Sequence, residues 1–374
     1  MNKTRTALGV ALAAALSATA HADMVVRLGF AGPLSGPISH IGKDEQYGVQ
    51  LAIDDANAKG VTIAGQKVRF ELQAEDDQGD PRQATIVAQR IVDSKVRGVV
   101  GHVTSGAAIP AAAIYEQAGI PAVTPSATSP RLTQQGMKVT YRVIANDFQQ
   151  GDAMAKYAAN VLKAKKIAIV DDRTSYGQGL ADALADNLRK LGVQVVAREY
   201  TTDKASDFTA ILTRLKTKQP DAVFYGGMDA QGAPMLRQMQ QLGMANVRFL
   251  SGDGVCTSEM IKLASAAMTG GVYCTQAGIP MEKMPGGAQF RARFKERFKT
   301  DVQLYAPYAY DATNALIEAM KLANSAEPAK YLPLMQKLDY KGITGQLAFD
   351  ARGDNRYGGI TLNQFAGGKW TPIN

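Results

Sequence analysis

Residues 166–200 read KIAIVDDRTSYGQGLADALADNLRKLGVQVVAREY. A short apolar run is followed by a helical pattern and then by a second β-rich run. The spacing predicts a strand over 166–171, a helix over 177–191 and a strand over 194–200. Strand, helix, strand in that order is a βαβ unit, which builds parallel sheet with helices on its faces.

The same alternation continues on both sides. Upstream it predicts strands over 25–30, 68–74, 98–103 and 120–124, separated by helices over 41–57, 80–95 and 105–117. A return segment over 139–144 closes this set. Asp80 and Pro81 mark one helix start, with Asp as N-cap and Pro at the first helical position. A helix over 149–162 leads into the quoted unit. Helix, strand, helix and strand then follow over 207–217, 222–225, 230–242 and 247–250. Two similar halves of this kind predict an α/β protein of two doubly wound, Rossmann-like lobes. Helices over 287–298 and 308–323 and β-like runs over 346–349 and 359–365 complete the chain.

The first 22 residues stand outside this pattern. Lys3 and Arg5 form a positive start, residues 7–16 an apolar stretch, and Ala20-His21-Ala22 offers the small residues that signal peptidase accepts. The apolar stretch is too short to cross a bilayer. The expectation is a cleaved export signal, a mature start near Asp23 and a periplasmic location. About 350 residues then remain, enough for two domains with a core each.

Composition narrows the function further. Lys and Arg number 42 against 34 Asp and Glu, a formal net charge of +8. The basic residues are scattered, and their one cluster, at 291–299, reads as a solvated helix face. Nucleic-acid binding would need a concentrated basic stripe with interleaved aromatics, so no such partner is expected. Cys256 and Cys274 are the only cysteines. In an oxidising compartment such a pair points to a disulfide, the alternative being two buried thiols. Beyond the signal, His40 and His102 are the only imidazoles, so no metal is expected; no cofactor is expected either, because no cofactor-binding motif occurs.

In open α/β sheets, ligands bind beyond the carboxyl ends of strands. That rule selects the loops at 32–42, 104–106, 124–129 and 251–257. Ser105 follows a strand and opens a helix, where its hydroxyl, free backbone N–H groups and the helix dipole favour an anion. An ordinary Ser N-cap would use the same position. Thr124-Pro125-Ser126-Ala127-Thr128 is a small hydroxyl-rich loop at the neighbouring strand end, either a solvated turn or part of a carboxylate or phosphate cradle. Ser251-Gly252-Asp253-Gly254 sets a carboxylate between two glycines, which let backbone and ligand approach closely. Asp253 there could pair with an ammonium group or serve only as a turn residue. Anion donors in one lobe and a carboxylate in the other describe a clamp for a zwitterion.

Enzyme signatures are missing. Gly29, Gly32 and Gly36 have the wrong spacing for a dinucleotide fingerprint, and neither a Walker A run nor Gly-x-Ser-x-Gly occurs. His102 lies close to Ser105 in sequence but reads as a packed strand-end residue. Asp76-Asp77-Gln78-Gly79-Asp80 lacks the spacing and terminal Glu of an EF-hand and reads as a turn capping the next helix.

These loops carry a resemblance. Gly32-Pro33-Leu34-Ser35-Gly36-Pro37, Val100-Gly101-His102, Ile120-Pro121-Ala122-Val123-Thr124-Pro125, Asp172-Arg173-Thr174-Ser175-Tyr176-Gly177-Gln178-Gly179 and Tyr225-Gly226-Gly227 resemble the periplasmic leucine/isoleucine/valine-binding proteins of ABC transporters. The likeness spans essentially the whole mature chain. It implies the type I periplasmic binding fold, with one lobe over 23–145 plus 279–349, the other over 146–278 plus 350–374, and three hinge strands between them. It also implies a ligand set. Ser105, Ser126 and Thr128, with Ala127 in the same loop, would hold the ligand carboxylate and part of its ammonium. Asp253 would take the ammonium where many members have Glu, and Tyr176 would arrive from the second lobe on closure. Ile41, Val103, Met228 and Tyr305 align with the side-chain pocket, although Ile41 and Met228 replace aromatic residues of the best-known members. The implied activity is non-enzymatic: a monomer captures a branched-chain or related aliphatic amino acid for an inner-membrane permease. Competing readings are a sensing receptor domain of the same fold and a periplasmic enzyme on a Rossmann-like scaffold. The missing nucleophile–base and cofactor motifs count against the enzyme.

Overall fold

The computed structural model describes residues 23–373. In a first sheet, Gln66–Asp76, Met24–Gly32, Val99–Gly101, Ala122–Thr124 and Thr140–Arg142 lie side by side and parallel. Thr62–Ile63 joins its edge antiparallel. In a second sheet, Gln194–Tyr200, Lys166–Asp171, Ala222–Gly226, Arg248–Ser251 and Val272–Ala277 repeat that arrangement. Ile360–Ala366 and Lys369–Pro372 extend it antiparallel. Apart from the antiparallel additions, the spatial order in both sheets is second, first, third, fourth, fifth. Each therefore has a point where the winding reverses, beside its first strand, and ligands bind at such points.

Helices cover both faces of each sheet, which is why the inner strands are continuous apolar runs. Ala222–Gly226 is buried along its whole length. Local sequence sets the helix starts. Asp80 accepts from the N–H groups of Arg82 at 2.8 Å and Gln83 at 2.9 Å, and Pro81 fills the first helical position of Pro81–Asp93. Asn146 and Gln149 form a reciprocal capping box at the head of Asp147–Asn160.

The chain passes between the sheets three times. It leaves the first after Thr140–Arg142 and returns after Val272–Ala277, where Ala306–Leu322 packs on Ser39–Lys59. It leaves again after the hairpin Asp339–Gly342 and Gly345–Ala348 to supply the last two strands of the second sheet. Side chains pin this third passage: Arg142 Nε donates to Asp354 Oδ1 at 2.9 Å, and Asn355 Nδ2 to the Val143 carbonyl at 2.8 Å.

Several elements differ from the sequence expectation. Thr62–Ile63, Arg131–Gln134, Ser258–Ala264, Pro328–Met335 and Lys369–Pro372 are shorter than the windows in which a period shows. Val272–Ala277 escapes for another reason. Its apolar run is broken by Thr275, whose hydroxyl donates to buried Gln150 at 2.7 Å. The basic cluster at 291–299 is more than a solvated face. Arg293 pairs with Asp55, and Arg297 reaches Asp54 at 3.0 Å, which ties Gly287–Phe298 to Ser39–Lys59. Cys256 and Cys274 are joined, with Cα atoms 5.8 Å apart. The expected export signal lies outside the described residues. Among those described, no helix is long and apolar enough to cross a membrane.

Candidate functional site

The reversal points of the two sheets face one another across a small cavity. The first sheet lines it with Ile38 and Ile41, after its first strand, with Val103, Thr104 and Ser105, after Val99–Gly101, and with Ser126, after Ala122–Thr124. The second sheet contributes Tyr176, Met228, Asp253 and Gly254 from the ends of three strands. Tyr305, just before Ala306–Leu322, completes the wall.

The first-sheet loops are locked to each other. Ser126 Oγ donates to the Val103 carbonyl at 2.9 Å, and Thr124 Oγ1 to the His102 carbonyl at 2.9 Å. Thr104, not Ser105, is the N-cap of Ser105–Ala118, accepting from the Ala107 N–H at 3.3 Å. Ser105 is the first helical residue, and its hydroxyl accepts from the Ser129 N–H at 3.1 Å. Behind these loops lies Arg142, fully buried. It donates to the carbonyls of Ala127 at 3.0 Å and Ser129 at 2.8 Å.

Ala127 and Thr128 do not line the cavity. Past Ser126 the chain turns inward, so Ala127 packs against Ala108, Ala112 and Leu132. The Thr128 carbonyl accepts from the Asp147 N–H at 3.0 Å.

The opposite wall is built around Asp253. It sits in the 3₁₀ turn Asp253–Val255, 3 % exposed. Its Oδ1 accepts from Tyr176 at 2.8 Å and from Gln150 Nε2 at 2.8 Å, while Oδ2 accepts from the Tyr305 hydroxyl. The Gly254 N–H donates to the Tyr176 oxygen at 2.9 Å. Burial raises the Asp253 carboxyl above its ordinary value, against the pull of Tyr305, Gln150 and Tyr176. Asp147 is its neighbour; burial, and then the Asp253 charge, push that carboxyl up to about 7. The disulfide holds the Asp253 turn from behind, because Cys256 follows it directly and Cys274 lies in Val272–Ala277.

The cavity therefore offers an anion-friendly wall of hydroxyls and a helix N-terminus, a carboxylate across from it, and apolar side chains between. A profile of the periplasmic binding protein family matches residues 25–362. The chain belongs to the periplasmic binding protein family. An amino acid binding protein of Pseudomonas aeruginosa is 36% identical to it over 93% of this chain and 91% of that protein. Among solved structures, a leucine-binding protein LivK of Thermotoga maritima has a TM-score of 0.85, with 28% identity over 93% of this chain and 98% of its own. The branched-chain amino acid transporter substrate-binding protein LivJ of Streptococcus pneumoniae, solved with isoleucine, has a TM-score of 0.81, with 28% identity over 93% of this chain and 100% of its own. The fold is the type I periplasmic binding fold.

Within this binding protein, sequence reasoning missed residues that hold the site from a distance. Asp44 accepts from the backbone N–H groups of Gln303, Leu304, Tyr305 and Ala306 at 2.8 to 3.1 Å, so it fixes where Tyr305 points. Gln150 and Asp147 were detectable in principle: both interrupt the face of Asp147–Asn160 that otherwise buries Met154, Ala155 and Ala158. His102 is 1 % exposed, with Nδ1 at 2.6 Å from Asp77 and Nε2 at 3.0 Å from the Tyr115 hydroxyl. It is a packed core residue, without the serine contact that a triad needs. Among the described residues, no group of three or more His, Cys, Asp and Glu is placed to hold a metal ion.

Proposed function

We propose that this protein is the solute-binding component of an ABC transporter and holds a branched-chain or related aliphatic amino acid between its lobes. The observation that carries the reading is the split polarity of the cavity. A solute carboxylate would sit at Ser105 and Ser126, at the N-terminal end of Ser105–Ala118, where free N–H groups and the helix dipole favour an anion. Its ammonium would pair with Asp253, and its side chain would fill the space between Ile38, Ile41, Val103 and Met228. The isoleucine complex of LivJ supports an aliphatic solute. Ala127 and Thr128 would act from behind the wall.

In this reading the lobes are 23–145 with 279–349 and 146–278 with 350–374, hinged where the chain crosses. The solute bridges them, so binding and closure are one equilibrium. The protein works without catalysis as an exported periplasmic monomer, its signal removed near Ala22, and hands the solute to an inner-membrane permease. Calorimetry against leucine, isoleucine, valine, phenylalanine and a sugar tests this. The expected result is binding of at least one aliphatic amino acid near micromolar affinity, about 8 kcal/mol. Binding of the sugar with no neutral amino acid overturns it.

A further inference from the structure

Two cavity-lining residues from opposite sides of the cleft have a polar neighbour in sequence: Ile41 follows His40, and Met228 precedes Asp229. Those neighbours meet. His40 Nε2 lies 2.8 Å from Asp229 Oδ2. His40 is in the first turn of Ser39–Lys59, which packs with the first sheet, and Asp229 opens Asp229–Gln241 over the second. The His40 side chain is 20 % exposed and that of Asp229 fully buried, with the Thr257 hydroxyl also donating to Oδ2. A cation at the head of a helix gains nothing from that helix's own dipole, so the partner across the cleft is what holds charge on His40.

We propose that His40 and Asp229 form an interlobe latch that sets how firmly the closed cleft keeps its solute and how fast it releases it. The proposal rests on the cavity being the solute site and concerns the regulation of that site. Opening the cleft must separate Ile41 from Met228, and the ion pair beside them breaks in the same motion. The latch thus belongs to the closed state alone and shifts the equilibrium toward it by its own interaction energy.

Charge around the pair decides the pH response. Asp229 faces His40 from the second lobe, with Glu259 beyond it. Asp44 and Lys43 lie on its own helix, and Asp301 lines the same surface hollow. Burial pulls the imidazole pKa down, but the Asp229 bond and the charges of Asp229, Glu259 and Asp44 outweigh it, and the value in the closed protein is raised. In the open protein an exposed histidine returns to its ordinary value, about 6.5. The latch is therefore complete below that value, and its contribution is lost as pH rises through the higher closed-state value.

L-Leucine binding to the full mature protein, measured by calorimetry and stopped-flow release from pH 5.5 to 8, tests this. For wild type, affinity should fall several-fold across that range. His40→Ala should weaken binding at pH 6 by about fivefold to tenfold, mostly through faster release. His40→Gln, which keeps a donor but cannot titrate, should give an intermediate affinity without the fall as pH rises. Equal release rates and equal pH profiles in all three overturn the latch. If leucine fails to bind wild type, the solute assignment falls and a second readout judges the latch. Distances between spin labels on the two lobes, without ligand, should show more closed protein at pH 5.5 than at 8 in wild type but not in His40→Ala. The same closed fraction at both pH values in wild type overturns the latch.

Discussion

On the first-sheet side of the cavity, the wall is made of hydroxyls bonded to backbone, such as Ser126 to Val103 and Ser105 to Ser129, with Arg142 buried behind them. On the second-sheet side, it is a buried carboxyl whose partners come from three separate places: Tyr176, Gln150 and, across the cleft, Tyr305. The first wall's hydroxyls find backbone partners on their own sheet, whereas Tyr305 reaches Asp253 from the far side of the cavity. In the two-lobed reading proposed above, opening the cleft would therefore cost the second wall a hydrogen bond that these hydroxyls would keep. Mutations in the first wall should therefore cost stability and affinity together, whereas mutations in the second should separate the two.

The largest effect is expected from Arg142→Ala. It leaves Asp354 and the carbonyls of Ala127 and Ser129 without their buried donor, a kind of loss that commonly costs about 3–5 kcal/mol. Chemical denaturation should show that loss without ligand, and calorimetry should show affinity falling with it. A variant of native stability would mean that the first wall does not depend on its arginine.

Asp253→Asn should do the reverse. It keeps the size of the side chain and removes its charge, which in a desolvated charged pair commonly costs about 2–5 kcal/mol of binding. Affinity for an amino acid should drop well over tenfold while the ligand-free melting temperature stays nearly unchanged. Retained affinity would reduce Asp253 to a turn residue and put the ammonium site elsewhere. The double variant Cys256→Ser/Cys274→Ser probes the same wall from behind. Losing the bond should lower stability by about 3 kcal/mol. Affinity should fall only a few-fold, because the bond from Gly254 to Tyr176 still places the turn. Denaturation with and without reductant on the wild type gives the same comparison, and equal stability in both would show that the bond contributes nothing.

The contrast between the walls also explains what could be read in the sequence. Loops at strand ends are local, so Ser105, Ser126 and Asp253 were visible beside the glycines and helix starts that flank them. The alternation of apolar runs and helical patterns is local too, and it matched both sheets apart from short or polar strands such as Val272–Ala277. Arg142, Asp44, Gln150 and Asp147 were not visible as site residues, because what they do depends on distant chain. Gln150 meets Asp253 across 103 residues, and Asp44 meets Tyr305 across 261. A buried polar residue on an otherwise apolar helix face signals a partner without naming it. Ser105 shows a smaller limit. Thr104 and Ser105 are both sound N-cap residues, and only the backbone shows that Thr104 takes the cap.

A last effect sharpens the comparison by pH. Asp147 stands beside Asp253 in the second wall, and its carboxyl is pushed up to about 7, by burial first and by the Asp253 charge second. In the unfolded chain the same group titrates near its ordinary value, about 3.9. The folded protein thus prefers the protonated form, so this contribution to stability is complete below that ordinary value and is lost as pH rises through about 7. The substitution Asp147→Asn leaves no charge to bury at this position. The melting temperature of that variant, relative to wild type, should therefore climb by several degrees between about pH 4 and pH 8. Adding amino acid should narrow the gap, because a solute ammonium near Asp253 offsets the negative charge that Asp147 feels. Paired thermal melts across that range, with and without leucine, measure both effects. A difference that stays flat with pH would mean that Asp147 carries no strained charge, and the second wall would then be as settled on its own as the first.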